Sequence, residues 1–345
     1  MWEESLRRCA TRCRGSWWLL VVVALGLGCP SRGDDDDAAD DDDSATVDDD
    51  DAVDDDDSGD DDDSASALAG ACDQSMRIGG FVVESLPEYS VVQGQVLDGV
   101  VPGNVLEPLL AEGGCQLLRR NNPFCDPGCD PGFTCDWDGS CIPYPAALDL
   151  GVVTVDGLAA EVSMEPVQPG NNYFAVGLPL ELMLAGQEVT LETTGGAWDP
   201  IALRGVGVEP LVPADEDWVV EEGEPLALSW TPPTSGAASE VLVSLNIDQH
   251  GVSPATMFCI LPDTGEGEIP ASVLDGLFGA GVSGFPTGQL TRRTADSLTN
   301  EFGCVDFLAR SPRTVGVDVV GYIPCDAMTP CPKGLECNLA IGLCL

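Results

Sequence analysis

The chain has one histidine, His250, and one lysine, Lys333. A multi-histidine metal site and a two-histidine acid/base mechanism are excluded by that inventory, and Schiff-base chemistry has almost nothing to work with. There is no Cys-x-x-Cys pair, the usual spacing of a zinc site. There is no Gly-x-Ser-x-Gly elbow to hold a nucleophilic serine. Basic residues number 14 against 59 acidic ones, a net charge of −45. Such a surface repels phosphate backbones and anionic headgroups, so nucleic acid is not expected as a partner. The acidity is not confined to one tract, since residues 64–345 alone carry −28. The longest apolar run, Trp17–Leu27, falls short of the ~20 residues that a membrane-spanning helix needs.

What is abundant is cysteine and aspartate. Arg7, Arg8, Arg12 and Arg14 precede the apolar run, which ends in Gly26-Leu27-Gly28-Cys29. A positive segment, a short apolar segment and a small residue before the cleavage point read as an export signal over residues 1–28. The stretch resembles a bacterial lipoprotein signal, with Gly28 matching the small residue before the modified cysteine and Leu25 one place further out than in the family pattern. The resemblance implies a lipid on Cys29, and an anchor to the bacterial outer membrane or cell surface.

Five Asp₄ blocks follow between Asp34 and Asp63. Residues 29–67 hold too little apolar surface to offset ordering entropy, and like charges extend them. They are expected to form a disordered Asp-rich tether. A loose affinity for Ca²⁺ is the competing reading; the blocks lack the glycine-punctuated loop that converges six to eight oxygens.

With Cys9 and Cys13 in the signal and Cys29 lipidated, twelve cysteines remain: Cys72, Cys115, Cys125, Cys129, Cys135, Cys141, Cys259, Cys304, Cys325, Cys331, Cys337 and Cys344. An even remainder in an exported chain predicts six disulfides. The spacing Cys-x-x-Gly-x-x-Cys occurs twice, at Cys129–Cys135 and Cys331–Cys337, each preceded by a Cys-Asp and followed by a further cysteine. Segments this short cannot build a core and must be stapled. They resemble EGF-like and related cysteine-rich modules. Cys72 and Cys115 join the first of them in a six-cysteine set over residues 68–144, the second spans 324–345, and Cys259 and Cys304 are left for each other. Val105–Ala111 is read as a helical turn stopped by Gly113 and Gly114.

Residues 145–323 carry short apolar runs separated by Pro and Gly, which predicts a β-sandwich region of one or two sandwiches. Val241–Ile247 alternates as a strand with one covered face, Leu242 excepted. One helix is expected over Pro270–Phe278, with Val273, Leu274, Leu277 and Phe278 on one face. Leu226–Pro233 resembles an early strand of a fibronectin type III domain, which implies a core position for Trp230. The arginine pair Arg292-Arg293 is expected to offset local carboxylates, with a bidentate pairing available. The fold class is therefore all-β: a sandwich-like centre flanked by two disulfide-rich modules, after an acidic linker.

Two constellations invite a functional reading. Asp248 and His250 sit two apart after a strand and would share a face. They suit acid/base work as the catalytic pair of a hydrolase, and equally suit a turn. Asp215, Glu216 and Asp217, beside Trp218, offer oxygens and a ring to calcium or a sugar, or form a solvated loop. No cofactor is otherwise indicated. The order of leader, tether, cysteine module, β-region and cysteine module resembles surface lipoproteins of delta-proteobacterial type, which implies a location and no activity. The expected function is a non-catalytic surface binding or adhesion module for a glycan or a basic protein. A structural envelope role without a discrete ligand is the alternative.

Overall fold

A computed structural model describes residues 67–120, 123–236, 238–247, 255–282 and 286–345. The N-terminal half of the described chain forms β1 (Arg77–Ser85), β2 (Ser90–Val96), β3 (Leu106–Glu112), β4 (Cys115–Arg120), β5 (Phe133–Cys135) and β6 (Cys141–Pro143). Next come β7 (Val153–Asp156), β8 (Val162–Met164), β9 (Tyr173–Ala175), β10 (Glu188–Thr193), β11 (Ala202–Val206), β12 (Asp217–Val220) and β13 (Leu226–Ser229). Then follow β14 (Glu240–Asn246), β15 (Thr256–Pro262), β16 (Glu266–Ile269), helix α1 (Ala271–Gly279), β17 (Thr287–Asn300) and β18 (Gly303–Val319). The chain closes with β19 (Cys337–Asn338) and β20 (Leu343–Cys344).

The main sheet runs β3-β4-β15-β14-β17-β18-β1-β2-β9, and β12 pairs with the far end of β18. Its spine is the hairpin β17–β18, of 14 and 17 residues. At ~3.3 Å per residue, strands of that length outrun a single sandwich. The structure uses the excess: β1 pairs with Cys304–Arg310 of β18 and β12 with Gly316–Val319, both parallel. The region is thus two sandwiches on one spine. In the first, a sheet ordered β11-β10-β7-β8 covers β1, β2 and the start of β18. Phe81, Val83, Val92, Val155, Leu191 and Phe307 are almost fully buried between them. In the second, β13–β16 and α1 cover β4, β14, β15 and β17, burying Trp230, Val241, Val243, Met257, Leu274 and Leu290. Each such side chain contributes roughly 1.5–3 kcal/mol when removed from water.

Several sequence expectations meet their outcome here. The α1 helix forms with Pro270 as its N-cap and buries Val273, Leu274 and Leu277. Phe278 is only partly buried and stacks on Tyr322, with centroids 6.4 Å apart. Trp230 is a core residue, 3% exposed. The helical turn expected at Val105–Ala111 is instead the edge strand β3. Gly113 and Gly114, both at positive φ, close a two-residue hairpin to β4, a turn that other residues disfavour. Pro108 is tolerated beside a register shift on that edge. Leu242 is no exception to be explained away: it packs with Leu118 and Phe258 on the second face of the main sheet, so both faces of β14 are covered.

All twelve cysteines form disulfides, but four pair otherwise than expected. Cys72 joins Cys304 and Cys115 joins Cys259, so Cys259–Cys304 does not form. The reason is the sheet: Cys115 and Cys259 face each other in the β4–β15 ladder. Residues 68–120 accordingly belong to the main sheet and not to a small cysteine module. The two short modules are alike in connectivity: Cys125–Cys135 with Cys129–Cys141, and Cys325–Cys337 with Cys331–Cys344.

Arg292 does make the bidentate pairing. Its Nε donates to Asp263 Oδ2 at 2.6 Å and its Nη2 to Oδ1 at 3.1 Å, with both side chains at most 3% exposed. Trp230 Nε1 and Ser239 Oγ also donate to Asp263, at 2.7 and 2.6 Å. Burial works to raise the Asp263 pKa, but the hydrogen bonds from Arg292, Ser239 and Trp230 and the Arg292 charge outweigh it and hold the group below its ordinary 3.8. A depressed pKa stabilises the fold above the unfolded value, and that contribution fades as pH falls through the folded one. Denaturant unfolding of Asp263→Asn at pH 7 is expected to show a loss of about 3–5 kcal/mol, because Arg292 stays buried without its counter-charge. The wild type is expected to lose stability relative to the variant as pH falls from about 3.8 down through the lower pKa of the folded state, where the native protein loses this carboxylate.

Candidate functional site

The signal, the tether with its lipidation candidate Cys29, and the pair Asp248 and His250 lie outside the described residues. Asp215, Glu216 and Asp217 are exposed at the entry to β12. Trp218 is 5% exposed and packs in the second core against the backbone of Gly288, so it offers no ring to a sugar. Among the described residues, the metal-ligand groups that converge are trios of disulfide cysteines, and the acidic trio is not one of them. The aspartates of the first small module serve its turns: Asp136 accepts from Trp137 N and Asp138 from Ser140 N, each at 2.8 Å. Hydrogen bonds to Ser140 hold the Asp138 carboxyl below its usual range.

A site that sequence reading did not single out lies where β1 begins. A cavity of about 230 Å³ is lined by Gln74, Arg77, Ile78, Gly79, Gly80, Gln95, Leu97, Val101 and Asn104. Four of these come from β1 itself, Gln95 from β2, and Asn104 from a 3₁₀ turn at Pro102–Asn104. That volume is below the ~300–1,000 Å³ typical of pockets for drug-sized ligands, and suits a single sugar ring or a short polar group.

Two glycines make the floor. At Gly79, φ is +143° and a Cβ would overlap the Gln95 carbonyl. At Gly80, a Cβ would overlap the carboxylate of Asp306 on β18. The missing Cβ lets Asp306, fully buried, reach Arg77. Arg77 Nε donates to Asp306 Oδ2 at 2.8 Å and Nη2 to Oδ1 at 2.9 Å. Burial pulls the Arg77 pKa down, but the charge and hydrogen bonds of Asp306 outweigh it and raise it, so the guanidinium stays ionised. Its charge is therefore balanced from behind before any ligand arrives.

The polar lining is amide in character. Gln74 Nε2 is buried and has no hydrogen-bond partner. Gln95 is oriented by its Nε2 donating to the Gly170 carbonyl at 2.8 Å. Ile78, Leu97 and Val101 supply an apolar wall. Of the described residues that line the cavity, none is Ser, Thr, Cys, His, Asp, Glu, Lys or Tyr. Among the described lining residues, no side chain can act as nucleophile or as a proton donor and acceptor near neutral pH. In the sequence the only trace is Arg77-Ile-Gly-Gly, since the partners Gln95, Asn104 and Asp306 lie up to 229 residues away.

No protein-family model matches the chain, and no curated protein is similar to it. Among solved structures, the fibronectin domains FN1–FN3 of chicken CNTN1 align over 62% of this chain, at 10% identity and a TM-score of 0.18. The chain covers 64% of that structure. Murine CEACAM1b aligns over 70% of this chain and 100% of its own, at 10% identity and a TM-score of 0.15. A Ca²⁺-stabilised ice-binding adhesin of an Antarctic bacterium aligns over 72% of this chain and 51% of its own, at 11% identity and a TM-score of 0.17. Scores this low establish no shared fold; the sandwich assignment rests on the strand pairing.

Gly80→Ala is expected to lose about 1–3 kcal/mol of stability by overlapping Asp306, as overpacked sites do. Gly103→Ala, where a Cβ meets nothing within 4 Å, is expected to change little. Thermal unfolding of the two variants checks the pair.

Proposed function

We propose that this chain is a non-catalytic binding module of the cell surface, and that the Gln74–Arg77–Asn104 cavity takes one uncharged sugar residue of a glycan. The observation that carries this reading is the lining: amides, an arginine already neutralised by Asp306, an apolar wall and no acid/base group. Amides meet hydroxyl groups in both donor and acceptor roles, and the apolar wall suits the C–H face of a sugar ring. The pairing of Arg77 with Asp306 leaves no uncompensated cation in the cavity, which supports a neutral ligand there. Six disulfides support an oxidising, extracellular setting. The apolar leader ending at Cys29 and the Asp₄ blocks support an outer-membrane lipid anchor with a spacer, and the two short modules support an EGF-like contribution to that surface.

A glycan array probed with the full chain is expected to give neutral-sugar hits that persist in EDTA. Gln74→Ala and Asn104→Ala are each expected to weaken those hits about 2- to 10-fold, the worth of one hydrogen bond to an uncharged group. A blank array, or hits untouched by both substitutions, would remove the cavity from consideration. Mass spectrometry of the mature protein is expected to find an acylated Cys29 at its N-terminus; an unmodified start would rule out the anchor.

A further inference from the structure

The face of the main sheet opposite the two cores carries a row of four charges. The ladders place Glu240 opposite Arg293, Arg293 opposite Arg310, and Arg310 opposite Glu84. Residues paired in this way share a face and stand about 4.5–5.5 Å apart at Cβ. Two guanidinium side chains are therefore direct neighbours, an arrangement that by itself is destabilising. Each is tied to its own glutamate through Nε: Arg293 to Glu240 Oε1 at 2.7 Å, and Arg310 to Glu84 Oε2 at 2.5 Å.

Arg293 is the unusual member. Its side chain is 1% exposed, and both its Nη1 and its Nη2 are buried without a hydrogen-bond partner. These groups carry four N–H donors on a permanent cation. Leaving buried charged donors unmet is costly, and the row of Val82, Leu308 and Ala295 beside them lowers the local dielectric. Glu240 does not meet them, and 35% of its side chain remains exposed.

We propose that Arg293 and Arg310 together hold one small oxyanion, a carboxylate, sulfate or phosphate group, on this face of the sheet. Two adjacent guanidinium groups match such a group in charge and in hydrogen-bond geometry. Burial restricts the site to a small group, and the acidity of the remaining surface repels polyanions. The site is distinct from the Gln74–Arg77–Asn104 cavity, which lies at the start of β1 with Arg77 paired to Asp306, whereas Glu84 and Arg310 pair at the other end of that strand.

Calorimetric titration of the full chain with inorganic phosphate, sulfate and acetate, at ionic strength held constant with sodium chloride, tests this. Saturable one-site binding of at least one of the three is expected, with a saturable rise in Tm. Whichever binds identifies the chemistry, acetate standing for carboxylate groups and the other two for tetrahedral ones. Arg293→Gln is expected to weaken binding about tenfold or more. If that variant does not fold, Arg310→Gln, at a part-exposed position, is expected to do the same. Glu240→Gln keeps both guanidinium groups and removes a competing carboxylate, so it is expected to tighten binding, which a purely structural role would not produce. Arg119→Gln, on an exposed pair elsewhere, is expected to change nothing. Absence of saturable binding by the wild type overturns the proposal. So does unchanged binding in the Arg293→Gln or Arg310→Gln variant, which would leave an adventitious ion only.

Discussion

Four guanidinium–carboxylate pairs fix the β17–β18 hairpin to its neighbours, and the two sandwiches depend on that hairpin. Arg77 and Asp306 join β1 to β18, Arg310 and Glu84 do so again, Arg293 and Glu240 join β17 to β14, and Arg292 and Asp263 join β17 to the turn after β15. Buried ion pairs add little net stability over apolar substitutes. What they add here is register. A slip of one residue would turn Arg292 away from Asp263 and put Arg293 into the second core, where the carboxylate belongs to another position. A strand covered on both faces over Leu290–Ala295 cannot read its register from hydrophobic alternation alone, and the charges supply what alternation lacks.

The same hairpin links stability to the two proposed ligand sites. Asp306 rises from β18 through the gap left by Gly80, and by doing so sets Arg77 and neutralises it at the mouth of the cavity. On the same face, four residues further along β18, Arg310 stands opposite Arg293 because the hairpin places them in register. The two long-range disulfides tie the segment before β1 to the start of β18 through Cys72–Cys304, and β4 to β15 through Cys115–Cys259, across 232 and 144 residues. Closing loops of that length removes a large share of the unfolded chain's freedom.

Legibility followed the range of the interaction. Strands with turn-flanked apolar runs, helix α1, the buried Trp230 and the doublet of short cysteine modules were readable, because propensity, turn chemistry and spacing are local. The helical turn read at Val105–Ala111 failed for the same reason: a Gly-Gly hairpin and an edge pairing with β4 override a weak local preference. The bidentate pairing of Arg292 was foreseen in kind, but its partner, 29 residues away, was not. Grouping Cys72 and Cys115 with the nearest cysteines used proximity in sequence, whereas disulfides follow proximity in space.

By itself the sequence determined the all-β class, the oxidised cysteines, the acidic surface and the poverty of catalytic groups, because composition and short-range pattern carry them. Only the tertiary structure decided which strands share the hairpin, which cysteines meet, and where a cavity opens. Parallel pairing of β1 with β18 brings Arg77 to Asp306 across 229 residues. A contact of that span leaves no period or spacing to read, since it is chosen by how two cores are buried against one long pair of strands.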